Sequence, residues 1–242
     1  YNIFADLEGN TSNVEIRMGT TVIKADNVIN VNNAIGTSGN DTFRGNANSN
    51  ILNGGLGNNT ALYTFTALTA GIVADLQAGE VTKTTASGTV KDTLINIQTL
   101  VGSNYDDYFI TKITENNIID GGAHGVISDT IDYSTNGAAK IVLNLDILQT
   151  LSTDNSVVWN DGDGYANVNI YNASGIKIAT DKITNIENIK GSAGADTIYG
   201  NSENNIIFGM GGAETIYGVD GFKYIDGGAG NDLIYSGTEA DT

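Results

Sequence analysis

Residues 191–235 read GSAGADTIY, GNSENNIIF, GMGGAETIY, GVDGFKYID and GGAGNDLIY, five nonapeptides that follow one another without a gap. Gly stands first and Ile stands eighth in all five. A period of nine does not match the helical period of about 3.6 residues. It fits a turn of about five residues followed by a strand of about four. The segment therefore predicts a flattened, right-handed parallel β-roll with two nonapeptides per coil and strands about 4.8 Å apart.

The interior of such a roll is thin, because each nonapeptide contributes a single inward-pointing Ile. Ordering the backbone costs about 1–2 kcal/mol per residue, whereas burying an Ile side chain returns only about 1.5–3 kcal/mol. Stacked Ile side chains and backbone hydrogen bonds alone therefore do not stabilise the roll. A further interaction has to hold the turns.

The sixth position of each nonapeptide supplies that interaction. Turns two repeats apart stack on the same edge of the roll, so one edge carries Asp196, Glu214 and Asp232, and the other carries Asn205, Lys223 and Asp241. Carboxylates stacked about 5 Å apart repel each other unless a cation lies between them. Ca²⁺ binds many carboxylate and carbonyl oxygens, and glycine-rich turns can offer both. We expect calcium mainly on the Asp196 edge, because Lys223 places a positive charge on the other edge.

These residues resemble the glycine-rich nonapeptide GGxGxDxUx of the repeats-in-toxin (RTX, hemolysin-type) calcium-binding family. GGAGNDLIY matches this pattern at every defined position, whereas GNSENNIIF and GVDGFKYID depart from it at the sixth position. The resemblance implies a parallel β-roll filled with several Ca²⁺ ions, in a protein that bacteria export by type I secretion.

Two earlier blocks repeat the signature. Residues 36–62 read GTSGNDTFR, GNANSNILN and GGLGNNTAL. Residues 102–134 begin with GSNYDDYFI, continue with the irregular TKITENNIID and then carry GGAHGVISDTIDY. Asp41 and Asn59 are expected to share one edge, and Asp107 is expected to face Asp129. The predicted metal-site residues are Gly191, Gly194, Asp196, Gly209, Gly212, Glu214, Gly227, Gly230, Asp232, Gly36, Gly39, Asp41, Gly54, Gly57, Asn59, Gly102, Asp107, Gly121, Asp129 and Asp241.

Each block follows a similar β-rich lead-in. NVINVNNAIGTS, TLINIQTLVGS and KITNIENIKGS align on the first glycine of each block, and leucines 7, 76 and 145 recur upstream at a constant spacing. We predict three tandem modules in an all-β, continuous solenoid: 1–66 and 67–134, each with a lead-in and a short roll, and 135–242, with the longest roll. The third module contains the insert WNDGDGYANVNIYNASGIKIAT, which predicts a hairpin.

Composition argues against several classes of function. The net charge of −17 argues against nucleic acid and against anionic membranes, which attract clustered Lys and Arg. Cysteine is absent, and no apolar run reaches the roughly 18 residues of a membrane span. Glycine is abundant at 31 residues and proline is absent, which favours many tight turns over disorder. The chain begins without Met and ends within a repeat, which indicates a piece of a longer protein.

Other motifs have simpler interpretations. NDGDG at 160–164 is similar to part of an EF-hand loop, but the twelfth position from Asp161 is Asn172 instead of Glu, so a hairpin turn is favoured over an extra Ca²⁺ site. His124 lacks a nucleophile motif and is interpreted as a solvated turn residue. Paired carboxylates can hydrolyse glycosides, but here they recur at turn positions. Tyr199, Tyr217 and Tyr235 predict a ladder that stabilises the sheet, with a partner-binding surface as the alternative.

The sequence favours a non-enzymatic, calcium-binding structural module of a bacterial cell-surface or secreted protein, an S-layer protein or an adhesin. Its expected partners are calcium and either further copies in a lattice or cell-surface glycan or lipopolysaccharide, without membrane insertion. The alternative is the C-terminal folding and secretion domain of a type I secreted protease, lipase or toxin.

Overall fold

The computed structural model describes residues 1–8, 12–126, 128–135, 137, 139–146 and 163–237. Every regular element in these ranges is a β-strand. The chain forms two compact units, Tyr1–Tyr108 with Gly122–Ile127, and Phe109–Gly121 with Ser128–Thr242. The strands form two mostly parallel sheets, which confirms the predicted all-β roll. The division into three modules stays a prediction from the sequence repeats.

The strands of the first unit are β1 (Asn2–Asp6), β2 (Ser12–Met18), β3 (Thr21–Val28), β4 (Asn33–Ile35), β5 (Thr42–Arg44), β6 (Ile51–Asn53), β7 (Thr60–Leu62), β8 (Val73–Asp75), β9 (Glu80–Thr85), β10 (Gly88–Ile95) and β11 (Thr99–Val101). Strand β12 (Tyr108–Ile110) contains the boundary between the units. The strands of the second unit are β13 (Ile118–Asp120), β14 (Thr130–Asp132), β15 (Lys140–Asn144), β16 (Ala166–Tyr171), β17 (Lys177–Thr184), β18 (Asn188–Lys190), β19 (Thr197–Tyr199), β20 (Asn205–Phe208), β21 (Thr215–Tyr217), β22 (Lys223–Asp226) and β23 (Leu233–Tyr235).

The roll strands pair in parallel with the strand two nonapeptides along the chain. In the second unit β19 pairs with β21 and β21 with β23, in a register that aligns Ile198, Ile216 and Ile234. Strand β20 pairs with β22 in the same way and aligns Ile207 with Ile225. The observed pairing is therefore the predicted one, with two nonapeptides in each coil.

Burial of the eighth-position isoleucines varies along the roll. Ile198, Ile207 and Ile216 have no exposed surface, whereas the side chain of Ile225 is half-buried and Ile234 is 43% exposed. Each Ile stacks on its counterpart in the adjacent coil, so the last coil lacks a neighbour on its outer side among the described residues. The hydrophobic stabilisation is therefore concentrated in the inner coils.

Three antiparallel meanders extend the rolls: β1–β2–β3, β8–β9–β10 and β15–β16–β17. The first strand of two of them also pairs in parallel with a roll strand, β1 with β5 and β15 with β19. The aligned leucines Leu7, Leu76 and Leu145 follow these first strands and are all buried. The lead-ins are therefore integral parts of the sheets.

The predicted hairpin in the third lead-in is confirmed by β16 and β17. Their turn is closed by Asn172, whose backbone N–H donates to the Ile176 carbonyl at 3.0 Å, and Gly175 adopts a φ of 72°. Residues 160–162 of the NDGDG motif lie outside the described residues. Asp163 accepts the Tyr165 N–H at 3.1 Å and forms an ion pair with Lys182. The Asp163–Tyr165 hydrogen bond is typical of a turn.

The inner coils should dominate the stability of the roll. We expect Ile216→Ala to lower the free energy of unfolding by about 2–5 kcal/mol, because it leaves a cavity in a closed core. Ile234→Ala removes a half-exposed side chain and should lower the free energy of unfolding much less than Ile216→Ala does. Chemical denaturation in saturating Ca²⁺ measures both values. Equal losses for the two variants would contradict the stacking described here.

Candidate calcium-binding turns

The first turn of each block is closed by its own sixth-position Asp. Its carboxylate accepts the backbone N–H of the residue after the first Gly, at 2.5, 2.5 and 2.6 Å, and it also accepts that residue's hydroxyl hydrogen bond. The three pairs are Thr37 with Asp41, Ser103 with Asp107, and Ser192 with Asp196. Sequence reasoning missed these hydroxyl residues. The recurrence of Ser or Thr after the first Gly of all three blocks was the available signal.

The same three carboxylates also connect adjacent coils. Each accepts the backbone N–H of a residue near the first strand of its lead-in: Ile3 to Asp41 at 2.6 Å, Ile72 to Asp107 at 2.7 Å, and Ile141 to Asp196 at 2.7 Å. All three Asp side chains are buried. Burial raises the pKa of Asp196 to about 6, although its hydrogen bonds act in the opposite direction. Burial raises the pKa of Asp107 as well.

Two other predicted ligands, Asn59 and Asp129, belong to the same kind of ladder. The Asn59 side chain accepts the Asp41 N–H at 2.9 Å and donates to the Asn96 carbonyl at 2.9 Å. The buried Asp129 donates its backbone N–H to Glu187 at 3.0 Å. Asp107 and Asp129 lie in different compact units, so their facing each other stays a prediction.

Glu214 differs from Asp41, Asp107, Asp196 and Asn59, whose side chains all accept backbone N–H groups. Its side chain is 1% exposed, and neither carboxylate oxygen has a hydrogen-bond partner among the described residues. Its backbone N–H donates to the Asp232 carboxylate at 3.1 Å, which places two carboxylates in neighbouring turns. Burial, the adjacent Asp232 carboxylate and the negative charge of Asp196 together raise the pKa of Glu214 to about 7. A buried carboxylate without a partner is costly unless a cation compensates it.

Glycine makes room for close turns along this edge. Gly212 and Gly230 have φ values of 126° and 149°. A Cβ atom on Gly230 would overlap the Gly212 carbonyl oxygen, and one on Gly212 would approach Glu214 Oε1 at 2.6 Å. The turn backbones therefore stack directly beside the orphaned carboxylate. Carboxylate and carbonyl oxygens close together form a donor set that fits Ca²⁺.

The second edge has no such arrangement in its described part. Lys223 is fully buried, and its ammonium group donates to the carbonyls of Glu203, at 2.5 Å, and Asp220. Asn205 accepts the Asn201 N–H at 3.1 Å and so closes its own turn. Lysine thus brings its own positive charge to turn carbonyls on this edge. The predicted ligand Asp241 lies outside the described residues.

The remaining sequence motifs have structural roles. The Tyr199, Tyr217 and Tyr235 rings stack in a ladder, with centroids 4.2 and 4.8 Å apart and planes within 7° of parallel, which confirms the predicted ladder. His124 is exposed and its ring contacts the Gly125 carbonyl oxygen at 3.3 Å. Where the chain is described, it contains no helix long and apolar enough to cross a membrane.

No group of three or more His, Cys, Asp or Glu side chains in the described ranges is preassembled as a metal cage. The candidate donor set on the Asp196 edge instead combines side-chain oxygens with turn carbonyls. The metal role of each predicted residue therefore stays a prediction.

Parallel rolls with glycine-rich turns and an acidic edge define a calcium-binding β-roll. A family model described as the RTX calcium-binding nonapeptide repeat, in four copies, matches residues 30–61, 185–213 and 208–242. The matched segments are therefore nonapeptide repeats of the RTX type, and such repeats bind several Ca²⁺ ions. The matched segments contain Asp41, Asn59 and the whole Asp196 edge, whereas the irregular block at 102–134 lies outside them. No curated protein matches the chain.

The buried acidic edge predicts a distinctive pH dependence without calcium. The pKa of Glu214 rises from its ordinary value of 4.5 to about 7 in the folded state. Its stabilising contribution is therefore present below about pH 4.5 and is lost as the pH rises through about 7. Asp196 contributes in the same direction.

We expect the melting temperature in calcium-free buffer to fall over this pH range, and Glu214→Gln to flatten the fall. Thermal unfolding followed by circular dichroism at several pH values measures this dependence. Glu80→Gln, which removes a partly exposed carboxylate, is the matched control. A melting temperature that rises with pH in the unmodified protein would contradict the assignment.

Proposed function

We propose that the Asp196 edge holds Ca²⁺ and that the chain is a calcium-dependent structural module of a bacterial cell-surface protein, an S-layer protein or an adhesin. The orphaned carboxylate of Glu214, enclosed by glycine turns beside Asp232, is the observation that carries the calcium assignment. RTX repeats are typical of secreted bacterial proteins, which supports an extracellular location.

The proposed mechanism is linkage between folding and calcium concentration. In calcium-poor cytosol, Asp196, Glu214 and Asp232 repel one another, which disfavours the folded roll and keeps the chain suitable for export. Extracellular calcium sites commonly have Kd values on the order of 10⁻⁴–10⁻³ M. At about ten times Kd, each site stabilises the folded state by roughly 1.4 kcal/mol. Several sites on one edge add up to a folding switch.

The predicted sites fall into two proposed classes. Glu214 and Asp232 form the principal site, because no described residue donates a hydrogen bond to the Glu214 carboxylate. Asp41, Asp107 and Asp196 already accept backbone N–H groups in two coils. Calcium at those turns has to compete with or rearrange these hydrogen bonds, so we propose weaker binding there.

A structural role is supported by the meanders. RTX repeats are structural calcium-binding units and are not catalytic by themselves. Three antiparallel meanders accompany the rolls among the described residues, so much of the chain extends the sheets outside the nonapeptides. We propose that this architecture serves assembly at the cell surface, without a reaction of its own. A catalytic domain elsewhere in a longer protein would favour the alternative, a folding and secretion domain.

The central test is calcium-dependent folding. Above about pH 7, where Glu214 is no longer held protonated in the folded state, we expect chelation of calcium to abolish most of the β-sheet signal in circular dichroism. Ca²⁺ titration should restore it cooperatively, with little effect of Mg²⁺, which prefers a smaller octahedral site. A β-sheet signal that is indifferent to chelation would refute the proposed function.

The edge assignment has its own test. Asp232→Ala removes a ligand of the principal site, and we expect the calcium midpoint of folding to rise several-fold. Asp26→Ala removes the same charge from β3, where Asp26 is half-exposed and paired with Lys24, and should leave the midpoint nearly unchanged. The two titrations are run at a dilution that keeps the protein monomeric. Equal shifts would show a general charge effect instead of a site.

A further inference from the structure

The first unit shows how a lead-in attaches to the roll before it. Strand β10 pairs in parallel with β6, which aligns Leu94 with Leu52. Strand β11 pairs in parallel with β7, which aligns Leu100 with Ala61. The end of the second lead-in thus forms one more coil on top of the first roll, and all four aligned side chains are buried.

The second unit repeats this attachment. Strand β17 pairs in parallel with β13, which aligns Ile183 with Ile119, and β18 pairs with β14, which aligns Ile189 with Ile131. All four side chains are fully buried. Two lead-ins of different sequence therefore use one docking geometry, in which a two-strand coil covers the last two strands of a preceding roll.

Side-chain caps accompany both attachments. In the first coil Asp92 accepts the Asn50 N–H at 2.7 Å, and Gln98 accepts the Asn59 N–H at 2.8 Å. In the second coil the Asn117 N–H donates to Asp181 at 2.8 Å, and Asp129 donates to Glu187 at 3.0 Å. Each docking coil thus contributes two acceptors to turns of the roll that it covers.

The first lead-in contains the same coil, and no described strand pairs with its outer side. The alignment on Gly36, Gly102 and Gly191 makes Asp26 the equivalent of Asp92 and Asp181. Those two are fully buried, whereas the side chain of Asp26 is 52% exposed. Strands β3 and β4 are the outermost described strands of their sheets.

Apolar side chains are exposed on this coil as well. Val22, Ile23, Ile29 and Ile35 are 45%, 52%, 68% and 74% exposed. The inward-facing Ala34, equivalent to Leu100 and Ile189, already lies in the core. The outer side of this coil therefore has apolar side chains available to pack against another roll.

The complementary surface is the last coil of the third roll. Strands β22 and β23 are outermost among the described strands of their sheets. Tyr224, Leu233, Ile234 and Tyr235 are between 43% and 50% exposed there. The equivalent coils of the first two rolls are covered by β10 with β11 and by β17 with β18. The third roll presents the surface that those coils cover.

We propose that β3 and β4 of one copy dock in parallel on β22 and β23 of a second copy, head to tail. By analogy with the two internal attachments, Val28 is placed opposite Ile225, Ala34 opposite Ile234, and Ile35 opposite Tyr235. Asp26 and Asn32 then lie where they can accept the backbone N–H groups of Lys223 and Asp232.

This inference rests on the proposed structural role, since it assigns the surface through which the module assembles. The contact is heterologous, because two different surfaces of the chain meet. Such a contact propagates into rings or open filaments. It also pairs four edge strands, β3 with β22 and β4 with β23, whose outer backbone groups would otherwise be exposed to further strands.

Sedimentation velocity in saturating Ca²⁺ tests the docking. We expect the average mass to rise with concentration to at least twice that of the monomer. Ile35→Lys disrupts only the β3–β4 surface and Tyr235→Lys disrupts only the β22–β23 surface, so each variant alone should remain monomeric. A mixture of the two variants retains one intact copy of each surface and should form dimers that grow no further.

Ile176→Lys is the matched control, because Ile176 is 61% exposed beside the turn of the β16–β17 hairpin, and it should assemble like the unmodified protein. Calcium-induced circular dichroism verifies that each variant folds. A chain that folds with calcium but stays monomeric at all concentrations would overturn the docking while leaving the calcium proposal intact. That result would point to a preceding module of a longer chain as the occupant. Assembly of either single variant to the full extent would overturn it too.

The absence of cysteine permits a residue-level test. A mixture of the variants Ile35→Cys and Tyr235→Cys should form disulfide-linked dimers rapidly under mild oxidation in Ca²⁺. The pair Ile176→Cys and Tyr235→Cys should not. Equal cross-linking of the two pairs would show random collision and would contradict the proposed register.

Discussion

The structure depends on how the turns of a thin roll satisfy buried polar groups. Each inner coil buries a single Ile per nonapeptide, such as Ile198 or Ile216, so the hydrophobic term is small. Side chains at the sixth position of the turns compensate by accepting backbone N–H groups from their own turn and from the adjacent coil. The rolls are therefore connected through their edges as much as through their core.

Glu214 shows where hydrogen bonding within the protein is insufficient. Its buried carboxylate has no donor among the described residues, and it lies between Asp196 and Asp232. On the opposite edge Lys223 supplies a cation from within the chain. We propose that one roll uses two solutions to the same electrostatic problem, an external divalent cation at Glu214 and the buried ammonium group of Lys223. Only the first solution makes folding responsive to the environment.

The sequence period predicted the roll, the inward isoleucines and the tyrosine ladder, because each depends on spacing alone. It did not predict that Asp41, Asp107 and Asp196 are capped by Ser or Thr of their own turn, or that they connect to the lead-ins. The contacts with the lead-ins join residues 35 to 55 positions apart, and a nonapeptide register holds no information on them. The recurrence of Asp26, Asp92 and Asp181 is visible in the sequence. Only the strand pairing shows that Asp92 and Asp181 accept backbone N–H groups of the roll that their coil covers.

The calcium sites are tested most directly by a crystal structure from crystals grown in Ca²⁺, with anomalous scattering used to locate the ions. We expect an ion bound by the Glu214 carboxylate together with turn carbonyls on the Asp196 edge, and none at the turn that Lys223 occupies. An ion beside Lys223, or a Glu214 carboxylate without a bound ion at saturating calcium, would contradict the calcium assignment.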